Sequence, residues 1–137
     1  MEKYMNLTSI IIGAVGGMAA RLMGGYDMLL RTILYMAVLD YVTGIVKAVY
    51  QKQLSSEIGF KGILKKIMVF ILIAASEIVQ QLLGETIPVR ETVIMFFIAN
   101  EGLSLLENAA SLIPVPDVLK EALLQIRDNK KGKEGQR

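Results

Sequence analysis

TILYMAVLDYVTGIVKAVY, residues Thr32 to Tyr50, is a long apolar stretch whose only charged residues are Asp40 and Lys47. It contains no proline, and its length favours a helix over a strand. A helix rises about 1.5 Å per residue, so this stretch nearly matches the hydrocarbon thickness of a bilayer, about 30 Å. The stretch therefore predicts a transmembrane helix.

Three further apolar stretches have a similar length and also lack internal proline. Pro114 and Pro116 end the last of them. We therefore predict an all-α, multi-pass membrane protein with three to four transmembrane helices, forming a single membrane domain over residues 1–127. The predicted spans cover about residues 4–23, 32–50, 67–84 and 92–113.

The C-terminal part of the chain has a different pattern. Leu119, Leu123 and Ile126 recur at helical spacing among polar residues, which predicts a short amphipathic helix over residues 117–127 that lies on a surface. The remaining residues, 128–137, are polar and basic, and we expect them to form a disordered cytoplasmic tail.

The composition supports the membrane prediction and excludes several kinds of chemistry. Hydrophobic residues make up 53% and charged residues 20%, with a mean hydropathy of +0.48, whereas soluble domains carry about 45–50% apolar and about 25% charged residues. A soluble helical bundle is therefore the least favoured interpretation. The chain has no Cys and no His, which excludes disulfides, zinc–thiolate sites, a cysteine nucleophile and an imidazole base.

No other catalytic pattern is present in the sequence. The glycine-rich segments lack the phosphate-loop pattern, and the acidic residues show no spacing typical of metal ligands. We therefore predict no catalytic residues, no cofactor, no metal site and no enzymatic activity. The net charge of +2 is too small to indicate nucleic-acid binding.

The distribution of basic residues predicts the orientation in the membrane. Residues 47–66 and 127–137 hold five Lys or Arg each, whereas residues 84–91 hold only Arg90. Because basic segments stay in the cytoplasm, we place the loop 51–66 and both termini on the cytoplasmic side. The predicted membrane is the cytoplasmic membrane of a bacterial host. The basic cytoplasmic loop includes Lys61, Lys65 and Lys66.

Polar residues recur at helical spacing within three of the predicted spans, so each of these spans has one polar face. In one interpretation these residues close a monomeric bundle, for example by pairing Asp40 with a lysine of the basic loop. In the other they line a water-filled space after several chains assemble. The candidate residues are Asp40, Thr43, Lys47, Glu77, Gln81, Asn100, Glu101, Ser104, Glu107 and Asn108.

The first span has a stripe of small residues instead of polar ones. Gly13, Gly17, Ala20 and Gly24 follow helical spacing and predict close helix–helix packing. The partner is either another copy of the chain or a neighbouring helix of the same chain.

Four motifs in the same order resemble the bacteriophage holin family of Gram-positive phages and prophages, also called toxin secretion/phage lysis holins. They are LDYVTGIVKA at residues 39–48, LSS followed by GFKGILKK at 54–66, FIANEGLSLLEN at 97–108, and IPVP at 113–116. The resemblance covers about residues 29–126.

The resemblance implies a protein that oligomerises in the cytoplasmic membrane and forms lesions. These lesions release an endolysin, which need not contact the protein directly, or a toxin. The implied partners are other copies of the chain, membrane lipid and an antiholin. An antiholin-type regulator would share every motif, and the residues alone also allow a small ion channel or transporter, or a membrane scaffold.

Overall fold

This computed structural model describes residues 1–128. All regular secondary structure in that range is helical, and turns join the helices. The predicted tail, 128–137, lies outside the described residues except for Asp128, which ends the last helix. The elements are α1 (Glu2–Leu22), α2 (Met28–Tyr50), α3 (Ser56–Leu82), α4 (Val89–Ala110) and α5 (Asp117–Asp128).

Three of these helices, α1, α2 and α4, are long and apolar enough to cross a membrane. The structure thus confirms the predicted all-helical fold with membrane-spanning helices and a C-terminal helix. The third predicted span, 67–84, falls mostly in the second half of the longer helix α3, which ends at Leu82, also contains Lys61, Lys65 and Lys66, and is not among these three helices.

Local sequence signals explain where α2 and α3 begin. The Asp27 carboxylate accepts a hydrogen bond from the Leu30 backbone N–H at 2.9 Å, which caps α2. The Ser55 hydroxyl accepts one from the Ile58 N–H at 3.2 Å and caps α3 in the same way. The turn before α2 contains Gly24, whose φ of +90° strongly favours a residue without a Cβ.

α4 is the central helix, and it packs against α2, α3 and α5. Arg90 at the start of α4 binds Asp27 at the start of α2, so these two helices begin at the same end of the bundle. α3 connects the far end of α2 to the near end of α4. It therefore runs antiparallel to both helices and extends from one end of the bundle to the other.

The interior of the bundle combines a small apolar core with buried charge. Large aliphatic side chains cover most of the outside, for example Val38 and Ile71, which are both about half exposed. Asp40, Glu101 and Arg90 are at most 8% exposed. Soluble proteins show the opposite distribution, so this arrangement indicates a lipid environment. The core residues are Leu30, Ile33, Val69, Ile73, Ile94 and Ile98.

α1 stands largely apart from this bundle. None of its 21 residues is buried, and only its C-terminal end, near Ala20 and Met23, packs against the core. A Cβ placed on Gly13 or Gly17 would have no atom of the described residues within 4 Å. The predicted stripe of small residues is also interrupted, because α1 ends at Leu22 and Gly24 lies in the following turn.

α5 folds back along α4 after the Pro-containing turn. Leu123 is buried against Gly102, where a Cβ would lie 2.8 Å from the Leu123 Cδ2 atom and 3.1 Å from the Met36 Cε atom. Glycine thus allows α5 to approach α4 closely. We expected this amphipathic face to lie on a membrane surface, but the structure packs it against α4.

We predict that Gly102→Leu displaces α5. The new side chain occupies the volume of Leu123, and overpacking of this kind typically costs about 1–3 kcal/mol. The free energy of unfolding in mixed detergent micelles measures the loss, and protease cleavage within α5 reports its displacement. Gly16→Leu on α1, where a Cβ meets open space, is the matched control. Equal stability of the two variants would contradict the proposed close packing.

Candidate functional site

The most unusual feature of the interior is an ion cluster contributed by three helices. The Lys66 ammonium of α3 donates hydrogen bonds to the carboxylates of Asp40 on α2 and Glu101 on α4. All three residues lie near the middle of the bundle's length, and both carboxylates are buried. A buried charge requires an opposite charge, and here one ammonium serves two carboxylates.

Asn108 extends this cluster towards the end of α4. Its amide nitrogen lies 3.1 Å from the Asp40 Oδ1 atom and 3.2 Å from the Thr43 hydroxyl oxygen. The Thr43 hydroxyl also lies within hydrogen-bonding distance of two backbone carbonyls of its own helix. The second Asp40 oxygen therefore has a donor as well, which lowers the cost of burying this carboxylate.

Small residues allow the helices to approach each other around the ion cluster. The Tyr41 ring packs over Gly62, where a Cβ would lie 3.1 Å from the ring, and its hydroxyl donates to the Gly59 carbonyl oxygen at 3.3 Å. Gly44 faces the Asn108 amide. The motifs at residues 39–48, 54–66 and 97–108 thus meet at one place.

A second polar cluster surrounds Arg90 at the other end of the bundle. Its guanidinium is 3% exposed and binds both Asp27 carboxylate oxygens, at 2.7 and 3.1 Å. It also donates to the backbone carbonyls of Met23 and Gly25 in the turn between α1 and α2. Glu77 lies 3.9 Å away. Arg90 thus connects α4 to the α1–α2 turn.

The Arg90 cluster affects the protonation of Asp27, which lies just outside α2. The hydrogen bonds from Arg90 hold the pKa of the Asp27 carboxyl below its ordinary value, against the opposing effect of burial. This pair was not predicted from the sequence, in which Arg90 stands out only as the one basic residue of residues 84–91. A signal was available in Asp27, which stands directly before an apolar helix as N-cap residues do.

The structure divides the predicted polar-face residues into two groups. The first group is buried or half-buried and consists of Asp40, Thr43, Lys47, Glu77, Glu101, Ser104 and Asn108. Gln81 is exposed and donates to the Glu77 carboxylate at 2.8 Å. Asn100 and Glu107 are exposed on the outer surface of α4. The polar residues of α4 therefore do not form a single stripe, because some face the interior and others face outward.

The predicted basic loop requires a correction. α3 begins at Ser56, so Lys61, Lys65 and Lys66 lie on a helix and not in a loop. The prediction followed hydropathy, but a lysine lowers hydropathy without ending a helix, and the Ser55 cap places the start ten residues before Lys66. Lys66 faces inward to the ion cluster, whereas Lys61 and Lys65 are exposed.

These clusters pair charges between helices. No group of three or more acidic residues that could hold a metal ion occurs within residues 1–128. A helical bundle with charged contacts inside and aliphatic side chains outside defines the class: a small multi-pass membrane protein.

Within that class, the chain belongs to the bacteriophage holin family, whose sequence profile matches residues 17–128. This confirms the resemblance of the four motifs. The family points to a non-enzymatic protein embedded in the membrane and suggests oligomerisation there.

Similar proteins occur in Gram-positive bacteria and one of their phages. An uncharacterized protein of Listeria innocua is 39% identical over 98% of this chain and 94% of its own length. An uncharacterized 14.9 kDa protein of Clostridium perfringens is 36% identical over 95% of this chain and all of its own length. A probable holin of Bacillus phage phi105 is 28% identical over 69% of this chain and 70% of its own. No solved structure matches the chain.

We predict that Lys66→Met strongly destabilises the protein. It leaves the Asp40 and Glu101 carboxylates buried without their counter-charge, and breaking a buried pair typically costs about 3–5 kcal/mol. Unfolding in mixed detergent micelles measures the loss, with Lys52→Met in the exposed α2–α3 turn as the control.

Removing the remaining charges supplies a second check on the cluster. Asp40→Asn and Glu101→Gln, added to Lys66→Met, should restore most of the lost stability, because no charge remains at this cluster. If Lys66→Met is as stable as the Lys52→Met control, the ion cluster does not hold the helices together.

Proposed function

We propose that this protein is a holin: it oligomerises in the host cytoplasmic membrane and forms lesions through which an endolysin or a toxin leaves the cell. Family membership supports this function, and so does the similarity to the probable holin of phage phi105. In this proposal the chain has no catalytic role, and the released enzyme need not bind it directly.

The observation that carries the proposal is the exposed polar surface of α4. Asn100 lies at the middle of this membrane-spanning helix and Glu107 lies one turn from its end, and both are exposed in the single chain. Polar and charged groups are costly in lipid, by as much as about 2.5–3.5 kcal/mol for a charge at a helix centre. Assembly that turns these residues towards protein or water removes that cost.

α1 supplies a surface for such assembly. It is apolar, none of its residues is buried, and Gly13 and Gly17 lie four residues apart on it. In lipid, glycines at this spacing let two helices approach closely. We assign this surface to contact between copies of the chain, with residues 1–127 acting as one membrane domain in each copy.

The orientation that accompanies this function follows from the positions of the basic residues. Lys52, Lys61 and Lys65 lie at the end of the bundle where α2 ends and α3 begins. Arg90 at the opposite end is neutralised by Asp27. We therefore place the α2–α3 turn and the chain's C-terminus in the cytoplasm and the α1–α2 and α3–α4 turns outside.

This topology predicts which positions react with a membrane-impermeant thiol reagent. The native chain has no cysteine, so single-cysteine variants need no background changes. In intact cells, Thr86→Cys in the α3–α4 turn should react, whereas Gln53→Cys in the α2–α3 turn should react only after the cells are broken. Reaction of Gln53→Cys in intact, non-lysing cells would contradict the proposed orientation.

We predict that Asn100→Leu together with Glu107→Leu delays or abolishes lysis. The outer face of α4 then becomes compatible with lipid, so assembly no longer removes the cost of exposing polar groups to lipid. The chain is expressed with a cytoplasmic endolysin, and lysis onset, membrane potential and release of a folded reporter enzyme are recorded. Gln53→Leu with Glu57→Leu, at exposed positions outside the lipid-facing part, is the matched control and should lyse normally.

The same experiment separates holin from the alternative functions. Unchanged lysis by the α4 variant would contradict a role for this face. A wild-type chain that delays lysis by a known holin would be an antiholin. A chain that collapses the membrane potential without releasing the reporter would be a narrow channel.

A further inference from the structure

A cavity of about 320 Å³ opens between α2, α3 and α4, beside the ion cluster and near the start of α3. Lys61 and Lys65 line it from α3, and Tyr41 lines it from α2. The two lysines are four residues apart, so both side chains lie on the same face of the helix. The holin function proposed above does not use this cavity.

The two lysines at this cavity have no direct carboxylate partner. Lys61 and Lys65 form no ion pair with any residue of the described chain. Asp40 also lines the cavity, but its carboxylate already accepts hydrogen bonds from Lys66 and Asn108. The cavity therefore presents two free ammonium groups beside a cluster of one ammonium and two carboxylates, so these five groups together carry a net charge of +1 when all are ionised, which favours an anion.

The walls of the cavity indicate an anion that also has an apolar part. Ile58 on α3 is exposed and Ile45 on α2 is half-buried at the cavity, and neighbouring aliphatic side chains on both helices are exposed on the outside of the bundle. Lys61 and Lys65 lie in the first three turns of α3, near the end of the bundle, and long basic side chains in such positions reach towards lipid headgroups. Basic pockets between transmembrane helices are known to bind anionic phospholipid headgroups.

We propose that this cavity binds the phosphate of an anionic glycerophospholipid, with Lys61 and Lys65 contacting the phosphate and the acyl chains lying along Ile45 and Ile58. The site depends only on the folded bundle in its membrane. Failure of the lipid experiment would therefore leave the holin proposal intact, and failure of the lysis experiment would leave this site intact.

The test measures lipid bound to the full-length protein in an uncharged detergent. Native mass spectrometry follows titration with phosphatidylglycerol, with phosphatidylcholine of the same acyl chains, and with inorganic phosphate. We expect saturable binding of phosphatidylglycerol only. A basic residue near an anionic headgroup strengthens binding by about 5-fold, so Lys61→Gln with Lys65→Gln should weaken it by about 30-fold.

Two further variants test whether binding depends on the cavity and not only on the total charge. Lys52→Gln with Lys120→Gln removes the same charge away from the cavity and should bind phosphatidylglycerol like the wild type. Ile45→Trp fills the cavity but keeps both lysines, and it should also lose binding, while circular dichroism verifies that each variant is helical. Equal loss in the control pair, unchanged binding in the Lys61/Lys65 pair, or displacement of the lipid by inorganic phosphate would each overturn the proposal.

Discussion

An ammonium group in the middle of a lipid-embedded bundle must lie against carboxylates, and the position of Lys66 between Asp40 and Glu101 satisfies this requirement. Each of the three residues belongs to a different helix. The pairing therefore fixes how far α2, α3 and α4 may slide along one another. Apolar packing alone discriminates poorly between such positions, because lipid tails and aliphatic side chains are equally apolar.

The second polar cluster fixes the other end of the bundle. Arg90 binds Asp27 through two hydrogen bonds and also binds carbonyls of the α1–α2 turn. Together with the Lys66 cluster, it gives the bundle polar contacts at two levels along its length. The apolar core around Ile33, Ile73 and Ile94 lies at buried positions of the same three helices. The order of the helices and their relative heights thus follow from a few charged residues.

Three membrane-spanning helices were predictable from the sequence because long apolar stretches report directly the free energy of transfer into lipid. Pairing of Asp40 with a lysine of the following segment was one of two interpretations, and the structure contains it. The helical start of α3 was not predictable from hydropathy, which measures transfer energy and not backbone conformation. The Arg90–Asp27 pair joins residues far apart in the chain, and the docking of α5 depends on the missing side chain of Gly102.

The division of the polar residues on α4 bears on how assembly can proceed. Glu101 and Asn108 hold the single chain together, so a lesion that used them to line water would first have to break the ion cluster. Asn100 and Glu107 face outward and take no part in that cluster. Assembly through these residues and the unpacked α1 would keep each bundle intact. The proposed oligomer would then form without the loss of any contact that holds the single chain together.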